Sequence, residues 1–312
     1  MRSLTDRNTV VILLCTYNGA EYLRPQLDSI IAQDYQNWAL HAFDDGSTDD
    51  TLEILAEYQN RLGPNKLKIH EGPRKGYAKN FHLACHKTIL LGDFFAFSDQ
   101  DDVWKPNKLN KAMRTLELQS EKSVCLFATR TQLIDADGKA IGFSKAPKRP
   151  AKFENAIIEN VAGGNTMVFN KALARLFCEI PENVDIISHD WTLYQLVTGA
   201  GGNFVFSDTP YVLYRQHQSN SVGANNNFLA KLYRLLSFLR GNYRHWISVN
   251  CESLAHVSTN FELSSRETIE NLNRVRNGNF WMRLKFIINC NIYRQHRLES
   301  VLVYIGLFFG KV

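Results

Sequence analysis

The sequence predicts an α/β fold with a doubly wound, mostly parallel sheet. From residue 9 to about residue 135, short apolar runs of strand length alternate with segments whose apolar side chains have helical spacing. Polar clusters follow three of the predicted strands, at Thr16–Asn18, Asp44–Asp45 and Asp99–Asp102. Because ligands of such sheets bind at the carboxyl ends of the strands, we expect these clusters to meet at one edge.

The predicted elements of this region alternate between strand and helix in chain order. The first strand, Thr9–Cys15, is apolar throughout, which is typical of a strand buried on both faces. The elements that follow are the helix Glu21–Gln33, the strand Trp38–Phe43, the helix Thr48–Tyr58 with Ser47 or Thr48 as its N-cap, the strand Leu67–Ile69, the helix Ala78–Thr88 and the strand Phe94–Ser98. Later in the chain we expect a helix after Pro106, a helix-terminating turn at Gly199–Gly202 and strand or turn structure over Phe204–Leu213.

The distribution of charge divides the chain. The 312 residues have a formal net charge of +5, but residues 225–312 alone contain 12 Lys and Arg against 5 Glu and no Asp. The basic excess therefore belongs to the tail. We expect one α/β domain over residues 1–224, followed by a basic, mainly helical tail over residues 225–312.

Composition argues against several classes of protein. Six widely spaced cysteines show neither CxxC nor zinc-ligand spacing, which indicates reduced, buried thiols in a cytoplasmic protein. No apolar run approaches the ~20 residues of a membrane span, and the apolar stretch near the N-terminus is too short for a signal peptide. Neither a Walker loop nor a GxGxxG sequence follows the first strand, which argues against ATP and nicotinamide cofactors.

Three carboxylates follow the strand Phe94–Ser98 within four residues. Asp99, Asp101 and Asp102 would repel one another if they were buried without a cation. A hard divalent ion that also binds an anionic ligand, typically a diphosphate, resolves this conflict. The alternative is a solvated acidic turn that caps the helix after Pro106.

Six short motifs, in order along residues 8–223, together resemble one enzyme family. They are LLCTYNGAEYL (13–23), FDDGSTDDT (43–51), FSDQDDVW (97–104), GGNTMVFN (163–170), SHDWTLYQL (188–196) and YRQHQSNSVG (214–223). The set is similar to the inverting family 2 glycosyltransferases with the GT-A fold. Within them it most resembles the rhamnosyltransferase-like enzymes that build bacterial surface polysaccharides such as O-antigen. The resemblance implies that residues 8–135 bind a nucleotide-sugar and residues 136–224 bind the acceptor.

The resemblance also implies a donor site. Tyr17 and Asp45 would form the base pocket, where a carboxylate acceptor suits the imide N–H of uracil or thymine; the alternative for Asp45 is a helix cap. Asp99 would hold the ribose or the metal shell, Asp101 would bind Mn²⁺ or Mg²⁺, and Asp102 would either share the metal or cap a helix. The remaining implied donor-site residues are Thr16, Arg74, Arg215 as a diphosphate clamp and His217 as a further metal ligand. Asp44 is expected to be structural, and Ser219–Gly223 to be a mobile loop over the donor.

On the acceptor side, the resemblance implies that Asp190 is the catalytic base. An inverting transfer needs one carboxylate that takes a proton from the attacking hydroxyl. Asn165, His189 and Trp191 would contact the acceptor. Each has an alternative: a plain turn for Asn165, a structural role for His189, and a core position for Trp191 because of its helical spacing. Ser188 is the expected N-cap of this helix.

The implied reaction is the metal-assisted transfer of a sugar, rhamnose by resemblance, from a UDP- or dTDP-linked donor to a hydroxyl of a growing, lipid-linked glycan. Two other classes stay open. A nucleotidyltransferase acting on a sugar phosphate also uses paired acids on an α/β sheet, and a non-catalytic protein could bind the sugar nucleotide without turnover.

The tail mixes large apolar and basic residues in three segments, Phe228–Leu239, Trp281–Arg297 and Leu298–Phe309. Such segments suit the surface of an anionic membrane, which would place the enzyme peripherally at the inner face of the cell membrane. The alternative is a helical appendage that packs on its own domain or on a second subunit. Nucleic acid is disfavoured because no recognition motif accompanies the charge.

Overall fold

A computed structural model describes residues 8–119, 123–217, 242–289 and 291–312. The strands are β1 (Val10–Thr16), β2 (Trp38–Asp44), β3 (Leu67–Glu71), β4 (Phe94–Ser98), β5 (Val103–Trp104), β6 (Cys125–Ile134), β7 (Ala140–Phe143), β8 (Val168–Asn170) and β9 (Asn203–Arg215). The α-helices are α1 (Ala20–Ile31), α2 (Thr51–Leu62), α3 (Tyr77–Thr88), α4 (Lys108–Leu116), α5 (Phe153–Ala156), α6 (Lys171–Cys178), α7 (His189–Gly199), α8 (Asn242–Ala255), α9 (Leu263–Arg276), α10 (Phe280–Asn289) and α11 (Arg297–Phe308). The predicted loop Ser219–Gly223 and helix Phe228–Leu239 lie outside the described residues.

One sheet runs through the molecule in the order β3-β2-β1-β4-β8-β6-β9-β5, with β7 paired to β6. The first four strands along this path are parallel, as predicted, whereas β8 runs antiparallel to both β4 and β6. In the parallel half, Thr16 lies opposite Asp44 and Leu14 opposite Ser98. The carboxyl ends of β1, β2 and β4 therefore meet at one edge of the sheet.

Helices cover both faces of this sheet, which confirms the predicted α/β class. Alternate residues of β1 point to opposite faces. Val10, Ile12 and Leu14 pack in one core with α1, α2 and α4, and the residues between them pack in a second core with α3, α6 and α7. Every residue of β1 is buried, which explains its continuous apolar sequence.

The helix α2 begins three residues later than predicted, at Thr51, and neither expected N-cap serves it. Ser47 donates both its N–H and its hydroxyl to the carboxylate of Asp44. Asp49 instead accepts the N–H of Thr51 at 3.1 Å. Ser188 does precede α7, as predicted, but its side chain makes no capping hydrogen bond there. In both places the polar loop residues match a capping pattern in sequence without forming the cap.

The described part of the tail is helical and shares a core with the α/β domain. Residues of α8, α9 and α11 belong to the same hydrophobic cluster as α3, α6 and α7. The ring of Phe261 packs edge-on against Phe153 at 5.6 Å and lies so close to Gly199 that a Cβ there would be 2.8 Å from it. α7 ends at Gly199, as predicted, and its glycine gives room for this ring.

Along the described ranges, no helix is long and apolar enough to cross a membrane. The five described cysteines carry free thiols.

Candidate active site

A cavity of about 1050 Å³ opens at the edge of the sheet where β1, β2 and β4 end. Eight of the residues expected in the site line it: Thr16, Tyr17, Asp45, Arg74, Asp99, Asn165, His189 and Asp190. The other four, Asp101, Trp191, Arg215 and His217, are described but are not part of its lining. The strand ends thus bring together side chains from both halves of the domain.

The carboxylate of Asp44 organises the loop after β2. It accepts hydrogen bonds from the Thr16 hydroxyl at 2.9 Å, from the Gly46 N–H at 3.1 Å and from the Ser47 N–H at 2.8 Å. A buried carboxylate with this many donors is a structural anchor, as expected for Asp44. The hydroxyl of Thr16 is engaged in the same anchor, so Thr16 lines the cavity with its hydroxyl already bonded.

The neighbouring carboxylate, Asp45, holds a second loop. Its two oxygens accept the N–H groups of Arg74 at 2.6 Å and Gly76 at 2.7 Å. Arg74 has a φ of 56° and Gly76 a φ of 85°, so one side chain holds two residues with positive φ on either side of Lys75. The alternative that Asp45 caps α2 is therefore wrong. Its bonds place Arg74 at the cavity, where its side chain packs beside Gly46.

Tyr17 is 58% exposed at the cavity, with its ring free of the core. Its backbone is fixed by the side-chain amide of Gln100, which accepts the Tyr17 N–H at 2.8 Å and donates to the Tyr17 carbonyl at 3.0 Å. This pair joins the loop after β1 to the acidic turn after β4. Sequence reasoning assigned no role to Gln100, because a single amide between two acids has no pattern that marks it.

The acidic turn places its three carboxylates in different surroundings. Asp99 faces the cavity, and burial, followed by the nearby charges of Asp101 and Asp190, raises its pKa to about 7. Asp101 lies with one carboxylate oxygen 2.9 Å from Nε2 of His217, so the two expected metal ligands are adjacent. Nevertheless, within the described part of the chain no group of three or more acidic, His or Cys side chains is arranged to hold a metal.

Asp102 is fully buried and is not part of the cavity lining. It accepts the side-chain amide of Asn165 at 2.6 Å and the N–H of Arg215 at 3.3 Å, and burial raises its pKa well above the ordinary value. It does not cap the helix after Pro106, since Asn107 occupies the N-cap position of α4. The capping alternative for Asp102 is therefore wrong.

Two expected ligand-binding residues face elsewhere. The Arg215 guanidinium donates to the main-chain carbonyls of Asp101 at 3.1 Å and Ala136 at 2.6 Å, and it lies over the Tyr22 ring at 4.8 Å. These contacts support the acidic turn from behind, in place of the expected diphosphate clamp. Trp191 is 6% exposed and donates its indole N–H to the Ala156 carbonyl at 2.6 Å, so it is a core residue and not a stacking surface for a sugar.

Asp190 stands in the first turn of α7 and lines the cavity. One carboxylate oxygen accepts the Gly164 N–H at 3.2 Å and the other accepts the N–H of Trp191 at 2.7 Å. Two main-chain donors at the start of the helix thus orient this carboxylate.

The neighbouring His189 is enclosed by aromatic rings. It is 4% exposed, stacks on Phe81 at a centroid distance of 3.9 Å and meets Phe97 edge-on at 4.7 Å. Burial lowers its pKa to about 4, and both ring nitrogens are buried with no hydrogen-bond partner among the described residues. A Cβ on Gly164 would lie 2.3 Å from Nε2, so the glycine is needed for this packing. His189 is therefore a neutral packing residue of the wall, as its alternative foresaw.

The wall opposite the acidic turn was not foreseen. It is formed by Tyr77 at the start of α3 and by residues of β6, β9 and the loops after β7 and α5, including Thr129, Thr131, Ser144, Lys145, Asn160 and Tyr214. Hydroxyl and amide side chains such as these hydrogen-bond sugars, but they have no spacing that distinguishes them from ordinary surface residues. Only the topology, which curls β6 and β9 back beside β4 and β8, brings them to the site.

Comparison with solved structures identifies the fold. The chain superposes on S. aureus TarS in complex with UDP with a TM-score of 0.55 at 20% identity, over 97% of this chain and 80% of that one. It superposes on the mannosyltransferase PcManGT from Pyrobaculum calidifontis, in complex with GDP-Man and Mn²⁺, with a TM-score of 0.52 at 15% identity, over 98% and 86%. At such low identity these likenesses show the fold, which is GT-A-like, as predicted.

Sequence comparison then gives the family. The chain is 31% identical over 254 residues to the dTDP-rhamnosyl transferase RfbG of Shigella flexneri, which covers 78% of this chain and 86% of that protein. With two other curated glycosyltransferases, from Nostoc and Rickettsia typhi, the match covers about half of this chain and slightly less than half of theirs. The model of glycosyl transferase family 2 matches residues 11–177. The chain belongs to this family and is a glycosyltransferase, which confirms the predicted enzyme class.

Proposed function

We propose that this glycosyltransferase transfers a sugar, with inversion, from a UDP- or dTDP-linked donor to a hydroxyl group of a growing, lipid-linked bacterial surface glycan. The observation that carries the proposal is the common cavity of Asp45, Asp99 and Asp190 at the sheet edge. Relatives support the donor class: RfbG is named a dTDP-rhamnosyl transferase, and the superposed structures hold UDP or GDP-Man. Rhamnose is accordingly our first choice of transferred sugar.

In this proposal residues 8–135 bind the donor. The exposed ring of Tyr17 stacks on the base, and Asp45 accepts its imide N–H. Each carboxylate oxygen of Asp45 already accepts one main-chain N–H, which leaves lone pairs for a further donor. The side chain of Arg74 is at the cavity to meet the diphosphate, and Thr16 forms the wall beside the base.

The adjacent pair Asp101 and His217 would bind a divalent ion, Mn²⁺ or Mg²⁺, with Asp99 as a further carboxylate of the metal shell. Carboxylate oxygens with one imidazole suit Mn²⁺. Burial and neighbouring negative charges raise the pKa of Asp99, and a bound cation would offset both. When bound, the ion would supply positive charge to the departing diphosphate. The pairing of His217 with Asp101 at 2.9 Å keeps both side chains in place beforehand.

Asp190 acts as the base, and residues 136–224 bind the acceptor. Its carboxylate takes the proton of the acceptor hydroxyl as that oxygen attacks the anomeric carbon. The bond from this carbon to the diphosphate oxygen breaks on the opposite face, and the nucleoside diphosphate leaves with the electron pair. The Gly164 N–H fixes the carboxylate towards the cavity during this step. Hydroxyl and amide side chains of the opposite wall would hold the acceptor sugar, with Asn165 at the floor of the cavity.

The tail supports a peripheral position on the cytoplasmic face of the membrane. Helix α11 buries Ser300, Val303 and Leu307 against the domain. Its other side exposes Leu298, Val301, Leu302, Ile305 and Phe309, and α10 adds Phe280, Trp281, Met282 and Ile288. We call these nine residues the tail apolar face. Exposed Lys285, Arg297 and Lys311 belong to or follow the same helices, a combination that suits an anionic membrane.

Hydrogen bonds join the part of the tail just before α11 to the segment that follows β7, which lines the cavity. Ser144 and Lys145 line the cavity, and a few residues later the N–H groups of Lys148 and Arg149 donate to the side chain of Gln295 at 2.8 and 2.7 Å. Gln295 lies two residues before α11 begins. A lipid-linked acceptor could thus reach the cavity from a membrane on which the tail apolar face lies.

Calorimetric titration with UDP, dTDP and GDP, with and without Mn²⁺, tests the donor site. We expect Mn²⁺-dependent binding of one pyrimidine diphosphate, and loss of the Mn²⁺ dependence in Asp101→Asn. In Asp190→Asn we expect nucleotide binding to persist while turnover falls by about 10²- to 10⁴-fold.

Three results would contradict the proposal. Absence of diphosphate binding would remove the donor site. Release of pyrophosphate from a nucleoside triphosphate and a sugar phosphate would favour a nucleotidyltransferase. Binding that never leads to product, with any acceptor, would favour the non-catalytic alternative.

A further inference from the structure

Lys108 is a lysine without solvent contact. It stands in the first turn of α4 with its side chain fully buried. Its ammonium nitrogen donates to the Asn165 carbonyl at 2.7 Å and lies 3.1 Å from the centre of the Trp104 ring. A cation at a helix N-terminus opposes the helix dipole, and burial of an ammonium group is costly. Helix formation and core packing therefore do not account for a lysine at this position.

The short turn that Lys108 contacts is bonded to both halves of the proposed site. Asn165 lies in the 3₁₀ helix Gly164–Thr166, and its side-chain amide donates to Asp102 at 2.6 Å. The residue before it, Gly164, donates its N–H to Asp190 at 3.2 Å. One short turn is thus bonded to the acidic turn on one side and to the base on the other.

We propose that Lys108 and Asn165 are positioning residues, which fix the distance between the acidic turn Asp99–Asp102 and the base Asp190. This inference rests on the proposed function. The ammonium group of Lys108 bonds the backbone of the 3₁₀ helix, and the side chain of Asn165 ties the same helix to Asp102, so two separate bonds hold one turn. In this role the Lys108 ammonium acts through the backbone of the turn, and the Asn165 amide acts through Asp102.

Removal of either bond should loosen the turn and lower the rate of transfer. Lys108→Met keeps most of the side-chain volume and removes the bond to the turn, whereas Asn165→Ala keeps the backbone carbonyl and removes the bond to Asp102. Displacement of a catalytic group by about 1 Å costs on the order of 10²-fold in rate. We therefore expect kcat to fall by about 10- to 100-fold in each variant. The double variant should lose more than either single variant, and its loss should differ from the product of the two single losses, because both bonds hold the same turn.

The decisive readouts are nucleoside diphosphate binding with Mn²⁺ by calorimetry, and kcat and KM for the donor, at a temperature well below each variant's unfolding midpoint. The control is Lys111→Met, an exposed lysine of the same helix, which should leave all three values unchanged. Positioning requires unchanged binding with reduced kcat and a non-additive double variant. If binding weakens in parallel with kcat, the residues serve the nucleotide site and the inference fails. It also fails if the two losses multiply, or if kcat is unchanged in either folded variant.

The failure of this inference is distinguishable from failure of the proposed function. If the unmodified enzyme binds no nucleoside diphosphate, the proposed function itself is wrong. If it binds and turns over, but the variants do not show unchanged binding with reduced kcat and a non-additive double variant, only the positioning role is refuted.

Discussion

The raised pKa of Asp99 makes the stability of the metal-free protein depend on pH. The pKa rises from 3.8 to about 7 in the folded state, because burial and the charges of Asp101 and Asp190 disfavour the carboxylate. A raised acid pKa means that the folded state holds this proton more tightly than the unfolded state. Stability from this group is therefore fully present at low pH and is lost as pH rises through about 7.

The size of the effect follows from the two pKa values. Between pH 5 and pH 8 the free energy of unfolding should fall by about 2 to 3 kcal/mol on account of Asp99. Asp99→Asn cannot ionise, so this part of the pH dependence should vanish and the variant should gain stability relative to the parent at pH 8.

Urea unfolding at pH 5, 6, 7 and 8, in buffer containing a chelator, measures the difference between parent and variant. Asp137→Asn, which changes an exposed carboxylate on the turn between β6 and β7, is the control and should follow the parent. A pH dependence in Asp99→Asn equal to that of the parent would refute the reasoning. In the parent, added Mn²⁺ should stabilise the folded state more at pH 8 than at pH 5, because the ion competes with the proton for the same carboxylate.

Two further predictions concern the wall and the tail. Gly164→Ala should destabilise the protein by about 1 to 3 kcal/mol in thermal or urea unfolding, since its Cβ would lie 2.3 Å from His189 Nε2. The same substitution should cost less in a His189→Ala background, where the ring is missing, and an equal cost in both backgrounds would contradict the clash. Replacing Leu298 and Leu302 together by serine should reduce co-sedimentation with vesicles that contain anionic phosphatidylglycerol, while Leu118→Ser, at an exposed leucine of the α/β domain, should not. Concentration-dependent self-association that the double substitution abolishes, without vesicle binding in the parent, would instead assign the tail apolar face to a second copy of the chain.

The parallel half of the fold was predictable because its pattern is local. The apolar runs of β1, β2 and β4 give the strands, and the polar residues that follow them give the site edge. Boundaries were least accurate where a capping residue had another partner. Ser47 matches an N-cap in sequence, but the carboxylate of Asp44 takes its hydroxyl and the helix starts at Thr51.

The direction of a side chain was not predictable from residue type. Trp191 has a ring that could stack on a sugar and a spacing that fits a core, and the indole bond to Ala156 places it in the core. Arg215 follows a strand that reaches the site, but its guanidinium turns to three main-chain carbonyls behind the acidic turn. Both outcomes depend on neighbours that come from distant parts of the chain.

The close fit of Phe261 against Gly199 has a consequence for redesign of the enzyme. The end of α7 and the tail segment just before α9 pack closely together, with no space for a larger side chain at position 199. A chimera that takes a new donor preference from a relative should therefore exchange the first 135 residues and leave this junction untouched. An exchange that takes α7 and α9 from different proteins would place the ring of Phe261 against a helix end of a different shape.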